Sequence, residues 1–569
     1  MKSKKILCLI ATAIVVGALC IGCGTKNSST EEAKDTTTEK SEENLDTATE
    51  NSQDDTIEEK DVAEKSADIK EESLEIEVVN RYNNYYADDS NEQLAKISNE
   101  TLVIYNEGYD KLKAAIKDFS QEMQDLSEHF ADEVKETYET SGKDGMGIGK
   151  WFSEYTVHIR RADSKLLSFE GVSSTYTGGA HPYTFSTGWT YDSQTGILLG
   201  LDDVLVDKNA VKDIVIEKLE NHEYNEDFFE EWKETANKYF DETDGSYIPI
   251  WFITSEGINF VFNPYEIAPY ATGKIVVKLP FDEYKDILNS EYVDSKAQNV
   301  YAPDEDYGAY YKKFDIDLDS DGNDDMICVT GEDIYADEFN PETDYENADD
   351  FKIGMKVKVG LGKDYEEANN PKEELDAEIS LESAFILENS DAKKYLYLQT
   401  IGYSDHRELY IFEIDGFDIK KLDYTGDAAL HGFWPVDSSN FMMADKVDVM
   451  GTYFGYRRYH IGEDGLPVAD EKLYKLYITD DMDRELVLKT DIKALEVVDI
   501  DSCELGGEIN LKKGDKLIPA YSDDDTMMIF KLNDGKYAAV KYDGAADDYP
   551  KLISGTDEEE VFDNLIYAG

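Results

Sequence analysis

Tyr176-Thr177-Gly178-Gly179-Ala180-His181-Pro182-Tyr183 decides how the first half of this chain is read. Gly178 and Gly179 permit positive φ and close backbone approach, and Pro182 keeps His181 extended, so the segment is a structured turn. Strand patterns flank it, at 155–161 and 166–174 before and 184–191 after. A turn over 192–196 and apolar residues at 197–200 make the last of these a hairpin. Leu201-Asp202-Asp203-Val204-Leu205 then opens a helix carrying Val211, Ile214, Val215 and Leu219 on one face. A second helix presents Phe228, Phe229, Trp232, Ala236, Tyr239 and Phe240, and strands follow at 249–254, 257–262 and 274–279. Upstream, Leu74-Glu75-Ile76-Glu77-Val78 alternates apolar and acidic residues as a half-buried strand, and 101–105 offers another. Between them and the turn, Tyr109, Leu112, Ile116, Phe119, Met123, Leu126, Phe130, Val134 and Tyr138 form one helical stripe ending at Ser141-Gly142. Its expected role is packing against the sheet. The region is α+β.

Phe262-Asn263-Pro264-Tyr265-Glu266-Ile267-Ala268-Pro269-Tyr270-Ala271 is the second distinctive stretch. Asn263-Pro264-Tyr265-Glu266 reads as a turn, either fold-defining with its tyrosine packed inside or in contact with a ligand. His181 has no nucleophile or metal ligand beside it in sequence, which favours a structural or binding role over general-base chemistry. Together, the Gly178–Pro182 turn with its Leu201-Asp202-Asp203 continuation and the 262–271 stretch resemble the extracytoplasmic domain of the RsiV and PdaC family. The segment before them resembles the smaller domain that precedes it there. The resemblance implies a PdaC-like N-terminal α+β domain over 74–170 and an RsiV-like α+β domain over 171–295. It also implies a binding module: the RsiV version recognises lysozyme, and the PdaC version accompanies a separate deacetylase domain. Gly178, Gly179, His181, Pro182, Asn263, Tyr265 and Glu266 are the candidate ligand-binding residues. A metal-dependent deacetylase needs closely spaced histidine ligands. The seven histidines here are His129, His158, His181, His222, His406, His431 and His460, and no two lie within five residues. The resemblance therefore implies fold and ligand binding without catalysis.

From about 300 onward short strands alternate with acidic turns, an all-β region expected as two parts. The part over 300–475 holds Asp317-Leu318-Asp319-Ser320-Asp321-Gly322-Asn323-Asp324-Asp325. Asp317, Asp319, Asp321, Asn323 and Asp325 around a turn glycine suit an oxygen-seeking cation such as Ca²⁺. An EF-hand would need Glu where Cys328 stands, and the next residues read as strand. The loop instead resembles calcium loops between strands of β-propeller repeats, so a partial propeller-like arrangement is expected. The part over 476–569 reads as a small SH3-like barrel or sandwich. Cys328 and Cys503 are open to a bridge or to two free thiols.

Residues 1–23 carry Lys2, Lys4 and Lys5 ahead of an apolar run closing on Gly22-Cys23, the pattern of a lipoprotein signal peptide with Cys23 lipidated. An uncleaved membrane anchor is the alternative, and both place the rest outside the cytoplasm at the cell surface. Residues 24–73 are polar and acidic without an aromatic, a disordered linker reaching about 40 Å or more. The 569 residues hold 56 basic and 125 acidic side chains, a net charge of −69, which excludes nucleic acid as a partner. The 41% hydrophobic and 12% aromatic content excludes global disorder. The 39 tyrosines include faces able to stack on sugar rings, although no regular ladder is visible. The leading expectation is a non-enzymatic surface lipoprotein binding lysozyme, another cationic wall-active protein, or peptidoglycan, because an acidic surface speeds encounter with a cation. The alternatives are a peptidoglycan-modifying enzyme and a calcium-braced adhesive scaffold.

Overall fold

The computed structural model describes residues 73–87, 93–146, 150–222, 224–240, 249–293, 299–336, 351–403, 406–477, 485–543 and 552–567. The signal segment, Cys23 and nearly all of the acidic linker lie outside them. No described helix is long and apolar enough to cross a membrane.

The alternation at 74–78 and 101–105 becomes a long hairpin, β1 (Ile76–Tyr86) and β2 (Gln93–Ile104). The apolar stripe becomes α1 (Asp110–Gly145), which kinks at Gly142, where φ is 62°. It leads to β3 (Trp151–Ala162), which runs parallel to β2, the geometry a helical crossover permits. β4 (Leu166–Tyr176) and β5 (Tyr183–Asp192) complete the sheet. Leu112, Phe119 and Phe130 of α1 share a core with Val157, Phe169 and Trp189, so the stripe does pack on the sheet. The predicted hairpin over 184–200 forms only as a short return: Leu198 bridges Tyr191, with Asp192 N donating to Ile197 O at 3.0 Å and Leu199 N to Thr190 O at 2.8 Å, while β5 pairs along its length with β4. The Gly-Gly turn connects a longer hairpin, β4 with β5, joined over ten register pairs.

Two helices, α2 (Lys208–Glu220) and α3 (Trp232–Tyr239), cover a three-stranded sheet of β6 (Ile250–Ile253), β7 (Gly257–Phe262) and β8 (Ile275–Pro280). Val211, Val215, Leu219, Tyr239, Phe260 and Phe262 fill that core. Phe228 and Phe229 precede α3 instead of belonging to it. The two sheets approach closely at Gly188, where a Cβ would sit 2.0 Å from the Trp251 carbonyl oxygen. Only glycine fits there.

Beyond 299, β9 (Val300–Tyr301) joins one five-stranded sheet, and β10 (Glu305–Asp306), β11 (Tyr311–Ile316), β12 (Asp325–Tyr335), β13 (Lys352–Gly362) and β14 (Glu373–Ala377) form another. The first is completed by β15 (Ser380–Glu388), β16 (Lys394–Ile401), β17 (Arg407–Asp415) and β18 (Asp418–Lys421). Phe314, Ile327 and Val357 share a core with Ile386, Leu396 and Phe412, so the two sheets pack together as a sandwich. The short β19 (Phe433–Trp434) then adds to the free edge of β1, and Arg458 clamps Glu75 beside it at 2.5 Å. Most of the remaining strands build one large branched sheet running from β20 (Phe441–Asp448) and β21 (Thr452–Ile461) to 504–511, and Leu552–Ile553 pairs separately with Thr556–Asp557.

Among the described residues the C-terminal sheets are open, with neither a propeller ring nor a closed SH3-like barrel. A turn with Met450 and Gly451 at positive φ separates β20 from β21. The division at 170/171 falls inside β4, and that at 475/476 inside the strand Tyr474–Leu476. Continuous strands cross both points because hydrogen-bonded ladders extend through them. Cys328 and Cys503 are unbridged.

Candidate functional site

The two motifs singled out in the sequence meet in space. At the β4–β5 turn Gly178 takes φ 83°, and the Tyr176 hydroxyl donates to the Gly179 carbonyl at 2.9 Å. Asn263, at the end of β7, is buried, and its side chain pairs with the β5 backbone as a strand would. Its Oδ1 accepts from Ser186 N at 2.6 Å, and its Nδ2 donates to Ser186 O at 3.2 Å. This amide docks the 263–270 loop against the hairpin.

The loop is closed from within. Asn263 N donates to Glu266 Oε2 at 2.8 Å, and Tyr265 N donates to Ala268 O at 2.9 Å. Burial pushes the Glu266 carboxyl up to about 7, against the lowering effect of the Asn263 backbone bond. Tyr265 is held at φ 71°, a left-handed conformation that costs a tyrosine on the order of 1 kcal/mol. The residue is 51% exposed. His181 stacks on Tyr270 at 4.1 Å between centroids, and Tyr265 stacks on the same Tyr270 at 5.8 Å. His181 Nδ1 lies 2.8 Å from the Pro182 carbonyl, so that nitrogen carries the proton, and Nε2 faces the Tyr265 hydroxyl at 3.5 Å. Of the predicted residues, Asn263 and Glu266 are therefore internal braces. His181 and Tyr265 are the presented surface.

Ser186 connects this platform to a buried charge cluster that the sequence reading missed. Its hydroxyl donates to Glu170 Oε1 at 2.6 Å, and Glu170 also meets Arg160 and Lys274, each at 2.7 Å. Glu170 is fully buried. Burial alone would raise its pKa, yet Lys274 and Arg160 outweigh it and hold the carboxyl well below the usual range. His158 sits in the same cluster, where burial drives its pKa down to about 4, and its Nδ1 has no hydrogen-bond partner. The imidazole is neutral at pH 7. Ser186 is 2% exposed with its proton committed to Glu170, which is no arrangement for nucleophilic attack. The sequence signal of the cluster was charged or titratable residues inside strand patterns, His158 and Arg160 in 155–161, Glu170 in 166–174 and Lys274 at the start of 274–279.

The C-terminal β-region reaches this site as well. Arg160 Nη1 donates to Pro303 O at 2.9 Å, and Lys278 meets Asp304 at 3.1 Å. Buried Lys312 holds Asp306 through both oxygens at 2.7 Å, and Lys313 pairs with Glu305 at 2.9 Å and Asp315 at 3.2 Å. Tyr307, between these pairs, is 60% exposed and tilts against Tyr311 at 5.9 Å. Its hydroxyl pKa is raised, first by burial and then by Glu305, and it lies within electrostatic range of Glu170 and Tyr270.

The acidic loop between β11 and β12 is only partly convergent. Oxygens of Asp317, Asp319 and Asp325 lie within 4.8 Å of one another, a geometry that fits a hard cation. Asp321 and Asn323 do not join them: Asp321 Oδ1 accepts from both Asn323 nitrogens at 2.9 Å. Lys363 Nζ reaches Asp319 at 2.8 Å and Asp321 at 3.0 Å, supplying positive charge to the loop from β13's end.

Two families match the first half of the chain. The family described as deacetylase PdaC matches residues 87–184, and the protein family of unknown function DUF3298 matches 202–282. A DUF3298-family crystal structure from Bacteroides fragilis is 20% identical, covering 39% of this chain and 98% of its own, with TM-score 0.32. Another from Pseudomonas aeruginosa is 18% identical, covering 40% and 99%, with TM-score 0.28. No curated protein matches the sequence. The chain thus carries a PdaC-like and a DUF3298-like region in succession, followed by a β-rich C-terminal region that neither family model covers.

Proposed function

We propose that this protein is a non-enzymatic, surface-anchored lipoprotein that binds a ligand of the cell envelope through the platform of His181, Tyr265 and Tyr270. The observation that carries this reading is the convergence of two distant loops on one exposed aromatic stack, with Tyr265 held in a strained backbone for that purpose. The buried charges behind the platform are spent on one another, which supports positioning over catalysis. The candidate ligands are a cationic wall-active protein such as lysozyme and the glycan of the wall. Net charge of −69 favours encounter with the former, by roughly ten- to a thousandfold in rate. Lysozyme titrated into the protein at low salt is expected to bind, more weakly at high salt, and Tyr265→Ala to reduce the low-salt affinity. No binding at low salt removes lysozyme as the ligand.

Ca²⁺ at Asp317, Asp319 and Asp325 is the second part of the proposal, supported by their convergence. The ion would brace the β11–β12 connection; it has no assigned chemical role. Millimolar Ca²⁺ is expected to raise the thermal midpoint of the wild type but not of Asp319→Asn. An unchanged midpoint in the wild type removes the ion from the account.

A further inference from the structure

We propose that the outer edge of β1 is a self-association surface, on which a second copy of this chain adds its own β1, antiparallel, across a two-fold axis at Tyr82. The surface is separate from the ligand platform and does not depend on it.

Three observations carry it. The first is an unpartnered ladder. β19 covers β1 only at Ile76 and Glu77, with Val78 N donating to Gly432 O at 2.8 Å, and no described strand lies beside 79–86 on that side. Tyr105 N donates to Glu75 O on the β2 side, so the alternation of an antiparallel strand turns the N–H and C=O of Asn80, Tyr82 and Asn84 outward. Residues 80–84 are all exposed.

The second is charge. Residues 78–87 contain no acid and one base, in a chain where 125 of 569 residues are acidic. That base, Arg81, is turned onto α1, where it donates to Gln124 Oε1 at 3.0 Å. Other sheet edges are guarded: β14 by Glu373, Glu374 and Asp376, the strand 504–511 by Glu504 and Glu508, and β18 by charges at three of its four positions. Such charges keep edges from pairing, and 79–86 lacks them. The third is preparation. The Tyr82 hydroxyl donates to Asn84 Oδ1 at 3.0 Å, Gln93 Nε2 donates to the same oxygen at 2.7 Å, and Ser98 donates to Asn80 Oδ1 at 2.9 Å. Side chains already held in place lose little freedom when a strand is added alongside.

Charge also decides the occupant. A cationic partner gains nothing from an edge without acids. Two copies of a chain at −69 repel wherever their acids meet, and this neutral strip lets them approach. The strip is its own complement: with Tyr82 on the axis, Asn80 of each copy faces Asn84 of the other, as an isologous contact requires. The register is bounded at both ends. Gly432 fills the place opposite Val78, and the pairing with β2 slips between Tyr85 and Tyr86, which leaves 80–84 as the regular stretch and Tyr82 as its centre.

The test is sedimentation of the full chain in a mild detergent, which masks the apolar run near its N-terminus. Concentrations reach about 0.2 mM, since so small an interface makes a weak dimer. Wild type, Tyr82→Glu, Tyr82→Lys and an equimolar mixture of the two variants are compared at about 0.15 M and about 0.5 M salt, each checked for native circular dichroism. A wild-type dimer that tightens with salt, weakens about fivefold in each variant alone and returns in the mixture at the lower salt bears the proposal out. A wild type that stays monomeric overturns it, as does a dimer indifferent to both substitutions. Weakening in both variants without recovery in the mixture overturns the two-fold axis at Tyr82.

Discussion

Glu170→Ala is expected to destabilise the protein by roughly 3–5 kcal/mol, the loss typical when one partner of a buried ion pair is removed. Glu170 is fully buried, and it is the shared acceptor of Arg160, Lys274 and the Ser186 hydroxyl. The Arg160 side chain is itself only 9% exposed, so it cannot recover water when the carboxylate goes. Because Ser186 also binds Asn263 through its backbone, the damage should spread to the platform and weaken ligand binding. Glu170→Gln keeps an acceptor for Ser186 and should lose less. The acid dependence has a definite sign. A carboxyl depressed below its unfolded value stabilises the fold above about pH 4.5, and that contribution is lost as pH falls towards the folded pKa. Urea unfolding followed by tryptophan fluorescence reads these losses, since Trp189 and Trp251 lie in the adjoining cores. A loss below about 1 kcal/mol in Glu170→Ala would show that the cluster is not a stabilising unit.

Glu266 should produce the opposite dependence. Its carboxyl is raised from 4.5 to about 7 by burial, so the folded state holds its proton more tightly than the unfolded chain. The resulting stability is fully present below about pH 4.5 and is lost as pH rises to about 7. Its full size is at most about 3.4 kcal/mol, from some 2.5 pH units at 1.36 kcal/mol each. Glu100, which accepts from Val157 N and is also raised to about 7 by burial, acts in the same direction. His158, lowered by burial from 6.5 to about 4, acts against both: its contribution is lost as pH falls from about 6.5 to 4. The wild-type profile between pH 4.5 and 6.5 is therefore a partial cancellation. Glu266→Gln should flatten the fall of stability with pH across that range, because Glu100 and His158 then oppose each other, as measured by denaturation midpoints at stepped pH. A profile unchanged by this substitution would mean that Glu266 titrates as an ordinary solvent-exposed carboxyl.

Much of the first half was legible from local pattern. The stripe from Tyr109 to Tyr138 specified α1 and its buried face, and Gly142 marked where it breaks. The turn at Gly178–Gly179 was legible because positive φ demands such residues. The length of each pairing was not legible, since only the sheet's register shows that β5 joins β4 over ten pairs and 197–200 through a single bridge. In the C-terminal region, strand positions could be inferred individually. Their assembly into open sheets could not, because edge pairing such as β19 on β1 joins residues some 360 positions apart.

The same division holds for the candidate site. The sequence alone established an acidic chain with α+β and all-β regions, and it marked His181, Asn263, Tyr265 and Glu266 as unusual, because turns, helical stripes and composition depend on neighbours along the chain. Only the tertiary structure decided that Asn263 pairs with Ser186 across 77 residues and that Glu170 takes Lys274 from 104 residues away. Those partners are selected by burial. A charge removed from water takes whichever opposite charge the packed strands bring within reach, and no local periodicity encodes that choice.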